Sequence, residues 1–215
     1  MVFDPSHNPY IARCKEYYGW LIDETDASKF RGGWRDVLKK ERLIVEIGPG
    51  NGWFLVDYLK THPEDGYVAI EKQYKRGVRC AEKLIRNNLI NGKIIRGKGE
   101  LLKDYFNDGE VAKVIINFPT PWVKERHKKH ILFSDSFSED LYKVLGNDGK
   151  LLIKSDHYQY MNVVVEKLSG QNFLIYSNKE GDEASLPPFP TFPGYERRFR
   201  EDGRGIFTIQ ATKHQ

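Results

Sequence analysis

From about residue 43 onward, apolar positions recur along the 215-residue chain in two alternating rhythms. Short runs rich in branched and aromatic side chains read as buried strands over 43–47, 67–70, 93–96, 112–117, 150–154, 173–177 and 205–211. Between them, segments with an apolar stripe at helical spacing predict helices over 53–61, 74–88, 101–106, 133–145 and 158–168. Strands alternating with helices predict an α/β fold on a seven-stranded, mostly parallel sheet with helices on both faces. The segment Leu145-Gly-Asn-Asp-Gly149 is expected to close one helix and turn tightly into the next strand. Residues 1–41 are aromatic and charged without a clean period, and read as an N-terminal extension packing on a domain that runs over 42–215. An irregular stretch over 180–194 carries four prolines, and a loop of that length tends to be functional or mobile.

Composition narrows the class. With 40% hydrophobic and 30% charged residues the chain is too apolar for disorder and too charged for a membrane protein. No apolar run approaches the roughly 18 residues of a membrane helix, and the N-terminus lacks a signal-peptide layout, so a cytoplasmic protein with no membrane partner is expected. Cys14 and Cys80 have neither metal-ligand spacing nor disulfide-scaffold density, and read as reduced thiols. The net charge of +4 is mild, but it is unevenly placed. Lys124, Arg126, Lys128 and Lys129 form one cluster with His127 and His130; Arg197, Arg198, Arg200 and Arg204 form a second. A solvated face accounts for one such run; two suggest a polyanionic partner.

The segment Val45-Glu-Ile-Gly-Pro-Gly-Asn-Gly52 follows a predicted strand and opens a predicted helix. Its glycines let the backbone turn sharply and approach a ligand without a Cβ in the way. Trp53 stands where a dinucleotide motif needs its third glycine, and the Gly-Lys-Ser/Thr of a phosphate loop is missing, which weakens NAD and ATP as ligands. The remaining acidic-x-Gly-x-Gly-x-Gly pattern resembles motif I of the Rossmann-like methyltransferases. That resemblance implies Glu46, Gly48 and Gly50 as cofactor contacts, with Asn117 at the end of the fourth predicted strand. Glu71 ends the next strand, where a carboxylate can accept hydrogen bonds from both ribose hydroxyls. Turn geometry alone could account for the glycines, and the helix dipole for Glu71.

After the fourth predicted strand comes Asn117-Phe-Pro-Thr-Pro-Trp-Val-Lys-Glu-Arg-His-Lys-Lys-His-Ile-Leu-Phe133. This segment resembles the Phe-Pro-Asp-Pro-Trp-x-Lys-x-Arg-His signature of the bacterial tRNA (guanine-N7)-methyltransferase family. The similarity extends over 46–160, including Ser155-Asp-His-Tyr158, and thins toward Tyr195-Glu-Arg197. It implies a class I Rossmann-like fold with an antiparallel last strand. It also implies methyl transfer from S-adenosylmethionine, which leaves as S-adenosylhomocysteine, to N7 of a variable-loop guanine in tRNA. Carried onto this sequence, Lys124 and Arg126 meet tRNA, Asp156 meets the substrate, and Tyr195 with Glu196 belongs to the late motif near the target nucleotide. Phe118 or Trp122 could pack beside the base.

Three positions depart from the family pattern: Thr120 stands in place of the aspartate usually assigned to the active site, Lys98 replaces an aspartate expected near the adenine, and the 191–196 segment is longer. Guanine N7 carries an in-plane lone pair and no proton, so transfer needs alignment and charge stabilisation more than a general base. Thr120 is compatible with that chemistry, and Asp156 is the carboxylate expected to stabilise the cationic product. His127 and His130 read as polar or phosphate contacts, so no metal is expected. The contiguous Ser155, Asp156 and His157 do not form a nucleophile triad. Two other readings stay open: a catalytically impaired RNA-binding homologue, and a methyltransferase for a small molecule or protein. A monomer and a homodimer are equally compatible with the sequence.

Overall fold

Fully buried strands dominate the first of two units, Met1–Tyr105 and Phe106–Gln215, into which the chain divides. The structure is a computed structural model and describes residues 8–121, 132–177 and 195–214. In the first unit β1 (Leu21–Asp23), β2 (Arg42–Ile47), β3 (Asp65–Ile70) and β4 (Gly92–Arg96) are all parallel, in the order β1-β4-β3-β2. Every residue of β3 is buried, as are the last five of β2. Their near-continuous apolar sequences are what a parallel strand needs when both faces are covered.

The helices of this unit are α1 (Pro9–Glu16), α2 (Glu24–Ala27), α3 (Trp34–Leu38), α4 (Trp53–Thr61), α5 (Tyr74–Arg86) and α6 (Leu102–Tyr105). Helix α4 buries Phe54, Leu55, Val56, Tyr58 and Leu59, and α5 buries Gly77, Val78, Cys80, Ala81 and Leu84. Gly77 lets α5 come close to β1: a Cβ there would stand 3.2 Å from Leu21 Cδ1. The N-terminal residues are therefore part of the unit's packing. Trp34 is fully buried and its Nε1 donates to the Tyr105 carbonyl at 2.8 Å, while Arg96 binds Asp23 at 2.8 Å.

In the second unit β5 (Val111–Asn117), β6 (Leu145–Ser155), β7 (Phe173–Ser177) and β8 (Phe207–Lys213) lie in the order β5-β6-β8-β7. Strands β5 and β6 are parallel, and β8 runs antiparallel to both β6 and β7, as expected for the last strand. The helices are α7 (Asp135–Val144), α8 (Tyr158–Ser169) and α9 (Tyr195–Glu201). The predicted tight turn is a register shift at the start of β6: Leu145 pairs with Val111, but the next pair is Lys150 with Lys113, and Asp148 takes φ +58°.

The strands number eight among the described residues, not the seven expected. The additional one, β1, is only Leu21–Asp23, too short for a two-residue alternation to register in sequence. Among the described residues no helix is long and apolar enough to cross a membrane.

Candidate active site

In the first unit, the ends of β2 and β3 build a small open cradle. Strand β2 ends in the glycine turn, whose fold is set by two backbone bonds: Gly48 N donates to Ile70 O and Gly52 N to Pro49 O, both at 2.9 Å. Gly48, Gly50 and Gly52 have φ of +73°, +59° and +72°, the left-handed region that side chains resist. They do so for different reasons. A Cβ on Gly48 or Gly50 would meet nothing within 4 Å, so the turn is bare on its open side. A Cβ on Gly52 would lie 2.8 Å from Cys80 Sγ, so that glycine lets the turn seat on α5.

Two carboxylates flank this turn. Glu46 is buried and its Oε2 accepts the Tyr67 hydroxyl at 3.0 Å. Glu71 follows β3 and is only 3% exposed. Burial pushes its carboxyl above the ordinary glutamate range, against the opposing effect of backbone N–H groups from Gln73 and Gly50 and of nearby Arg76 and Lys72. The Gln73 N–H reaches Oε1 at 2.9 Å. A buried carboxylate fixed by backbone donors beside a bare glycine turn fits a hydroxyl-bearing, uncharged ligand group such as a ribose. The buried carboxylate itself disfavours a phosphate, which agrees with the missing phosphate-loop residues.

The second unit holds the substrate-side candidates and Asn117, which the resemblance implied as a cofactor contact. At the end of β5, Asn117 is half-buried and Phe118 takes φ +49°, uncommon for a bulky residue, with its N–H donating to Lys154 O at 2.8 Å. The Phe118 ring meets Phe199 of α9 edge-on, with centroids 5.1 Å apart. Asp156 accepts Arg204 at 2.8 Å, and the Arg204 guanidinium lies 4.9 Å from the centre of the Phe199 ring. Glu196 is buried between Lys154 at 2.6 Å and Arg200 at 2.7 Å. Burial pushes the Glu196 carboxyl up, but these two cations outweigh it and hold the group below the ordinary range.

Ser155 and His157 have local structural work. The Ser155 hydroxyl accepts the His157 N–H at 3.1 Å, and His157 Nδ1 accepts the Tyr160 N–H at 3.2 Å, capping α8. Thr120 is exposed. Lys124, Arg126 and the neighbouring Trp122 lie outside the described residues, as does the Tyr195 side chain at the start of α9. Lys154 and Phe199 did not stand out as site residues in sequence, and Arg204 stood out only as a member of the second cationic cluster. A lone lysine closing the apolar run Leu151-Leu-Ile153 was the one available signal for Lys154. Among the described residues no group of three or more His, Cys, Asp or Glu side chains could hold a metal.

Residues 40–209 match the family described as "Putative methyltransferase". A tRNA (guanine-N(7)-)-methyltransferase of Limosilactobacillus reuteri is 31% identical over 208 residues, covering 95% of this chain and 94% of that one. The chain belongs to the bacterial tRNA (guanine-N7)-methyltransferase family. The corresponding protein of Geobacillus kaustophilus is 30% identical, with 87% of each chain covered. Solved structures share the Rossmann-like methyltransferase fold at lower identity. An rRNA methylase from Streptococcus thermophilus has a TM-score of 0.56 at 14% identity, covering 100% of this chain and 99% of that one. A 30S ribosomal A1408 methyltransferase from an uncultured bacterium has a TM-score of 0.53 at 17% identity, covering 83% and 91%. As a methyltransferase of this family, the protein is an enzyme.

Proposed function

We propose that this enzyme transfers a methyl group from S-adenosylmethionine to N7 of a variable-loop guanine in tRNA. The observation that carries the proposal is the open glycine turn with its buried, backbone-fixed Glu71 in a chain 31% identical to a tRNA (guanine-N7)-methyltransferase. When bound, S-adenosylmethionine supplies an electrophilic methyl on a sulfonium and departs as S-adenosylhomocysteine. Glu71 accepts hydrogen bonds from the ribose hydroxyls. Gly48 and Gly50 admit close approach to their backbone, and Glu46 completes the donor contacts of this unit.

On the acceptor side, the N7 lone pair forms the new bond to carbon as the carbon–sulfur bond breaks, and no proton leaves the base. The guanine gains a positive charge. Asp156 stabilises it electrostatically, and its present partner Arg204 is half-exposed and free to exchange with solvent. Thr120 supplies a hydroxyl contact rather than a general base. Lys124 and Arg126 fix tRNA phosphates, and Tyr195 shapes the base pocket. Glu196 acts from its buried place between Lys154 and Arg200, holding α9 for that pocket. The substrate is found in the cytoplasm, and light scattering decides between monomer and homodimer.

The test is direct. Purified protein with labelled S-adenosylmethionine and tRNA lacking the modification is expected to yield 7-methylguanine on hydrolysis. Donor binding without transfer to any tRNA would instead support an RNA-binding homologue, the reading favoured by Thr120.

A further inference from the structure

Helix α5 carries Arg76, Arg79, Lys83 and Arg86 at spacings of three and four, which aligns them in one stripe. The last three border a groove with Trp53 and Asn51, from the residues around the start of α4. Trp53 is 57% exposed, large for an indole with no structural need of water, and Lys83 Nζ lies 4.1 Å from the centre of its ring. Arg79 donates to Asn51 Oδ1 at 3.2 Å, so the stripe begins beside the glycine turn itself. The single acid in the groove, Glu82, is already held by Arg13 at 2.6 Å and by the Tyr17 hydroxyl at 3.2 Å. What the groove presents outward is a row of cations around an exposed aromatic ring.

We infer that this groove, formed by Trp53 and the Arg79–Lys83–Arg86 stripe, is a second docking surface for the tRNA phosphate backbone, separate in sequence from the basic run over 124–129. The inference rests on the proposed tRNA substrate and adds where else that polyanion is held. Charge complementarity selects the occupant. A run of cations spaced along a helix, with its one carboxylate internally neutralised, matches a string of phosphates, and an aromatic face beside it suits an unpaired nucleobase. Arg79, bonded to Asn51, ties this surface to the donor turn.

The test compares the full-length protein with K83Q/R86Q, in which neither changed residue bonds to the glycine turn. Binding of an unmodified tRNA transcript is followed by fluorescence anisotropy across a salt series, and S-adenosylmethionine binding by calorimetry. The double variant is expected to bind tRNA about tenfold more weakly, with the slope of log affinity against log salt reduced by about two, one for each phosphate that the variant no longer neutralises. Its S-adenosylmethionine affinity is expected to match the wild type. Unchanged tRNA affinity and slope would overturn the inference, as would equal weakening toward tRNA and S-adenosylmethionine, which marks a structural role. The two proposals fail differently: wild-type protein that methylates no tRNA sinks the function, whereas wild-type methylation with an unimpaired K83Q/R86Q sinks only the groove. W53F supplies a second readout, retaining the salt slope while losing part of the affinity.

Discussion

The proposed donor cradle of the first unit and the ionic cluster of the second are built from different materials. Around Gly48 and Glu71 the geometry is made by backbone: three left-handed glycines, strand-end carbonyls and N–H groups aimed at a carboxylate. Around Asp156 and Glu196 it is made by side chains that hold one another across long sequence distances, Lys154 with Glu196 and Arg204 with Asp156. A backbone cradle is rigid and indifferent to salt. A side-chain cluster can exchange partners when a charged substrate arrives, but it depends on every member being present. On the proposed roles, a fixed donor and a responsive acceptor side suit a reaction that creates a cation on the base.

The contrast is sharpest at Glu196. Glu196→Leu removes the carboxylate paired with the buried Lys154 and is expected to cost about 3–5 kcal/mol of stability in a denaturant titration. The double variant Lys154→Met/Glu196→Leu should recover most of that; a double variant as unstable as the single one would mean the pair is not the source. Because the Glu196 carboxyl is held below its ordinary range, its stabilisation is present above the unfolded glutamate pKa and is lost as pH falls through the lowered folded value. An acid unfolding limb that persists unchanged in the double variant would contradict this.

Next in size is the glycine turn. Gly52→Ala combines left-handed strain of about 1–2 kcal/mol with crowding against Cys80 of about 1–3 kcal/mol. Gly50→Ala meets open space and should show only the strain. Equal melting shifts for the two would remove Cys80 from the account.

Glu71→Gln is expected to weaken S-adenosylmethionine binding about tenfold, the loss of a charged hydrogen-bond acceptor, while tRNA binding holds. Wild-type donor affinity should fall on acidification through the raised Glu71 pKa, because the protonated acid no longer accepts two bonds, and Glu71→Gln should lack that limb. In the folding equilibrium the sign is opposite to that of Glu196: the neutral form is favoured by the fold, so the associated stability is full below the unfolded pKa and is lost as pH rises through the folded one. Smallest is Arg204→Ala. Its pair with Asp156 is half-exposed, and the stability change should stay under about 1 kcal/mol by thermal melting.

The same contrast explains what the sequence could tell. The cradle's geometry was readable because glycine spacing, strand ends and a strand-end acid are local: Glu46, Gly48, Gly50 and Glu71 lie within 26 residues. Strands β2 to β8 were legible from their apolar runs. Strand β1 and helix α3 were not, since three or five residues carry no measurable period and their stability comes from tertiary contacts such as Trp34 with Tyr105. The pairing of Lys154 with Glu196 spans 42 positions, and no spacing rule joins them. Helix α9 was hidden for a related reason, being a cationic segment whose one buried acid is neutralised from elsewhere.

Cys80 lies completely out of solvent beneath Gly52, with its thiol pointed at the Gly50 carbonyl at 3.4 Å, and burial pushes that thiol well up from its ordinary range. A maleimide or disulfide reagent therefore has to wait until the loop lifts from the helix, whereas Cys14 is partly accessible from the outset. The slow phase of alkylation becomes a natural clock for opening of the glycine loop, expected to tick more slowly if the proposed nucleoside donor binds there.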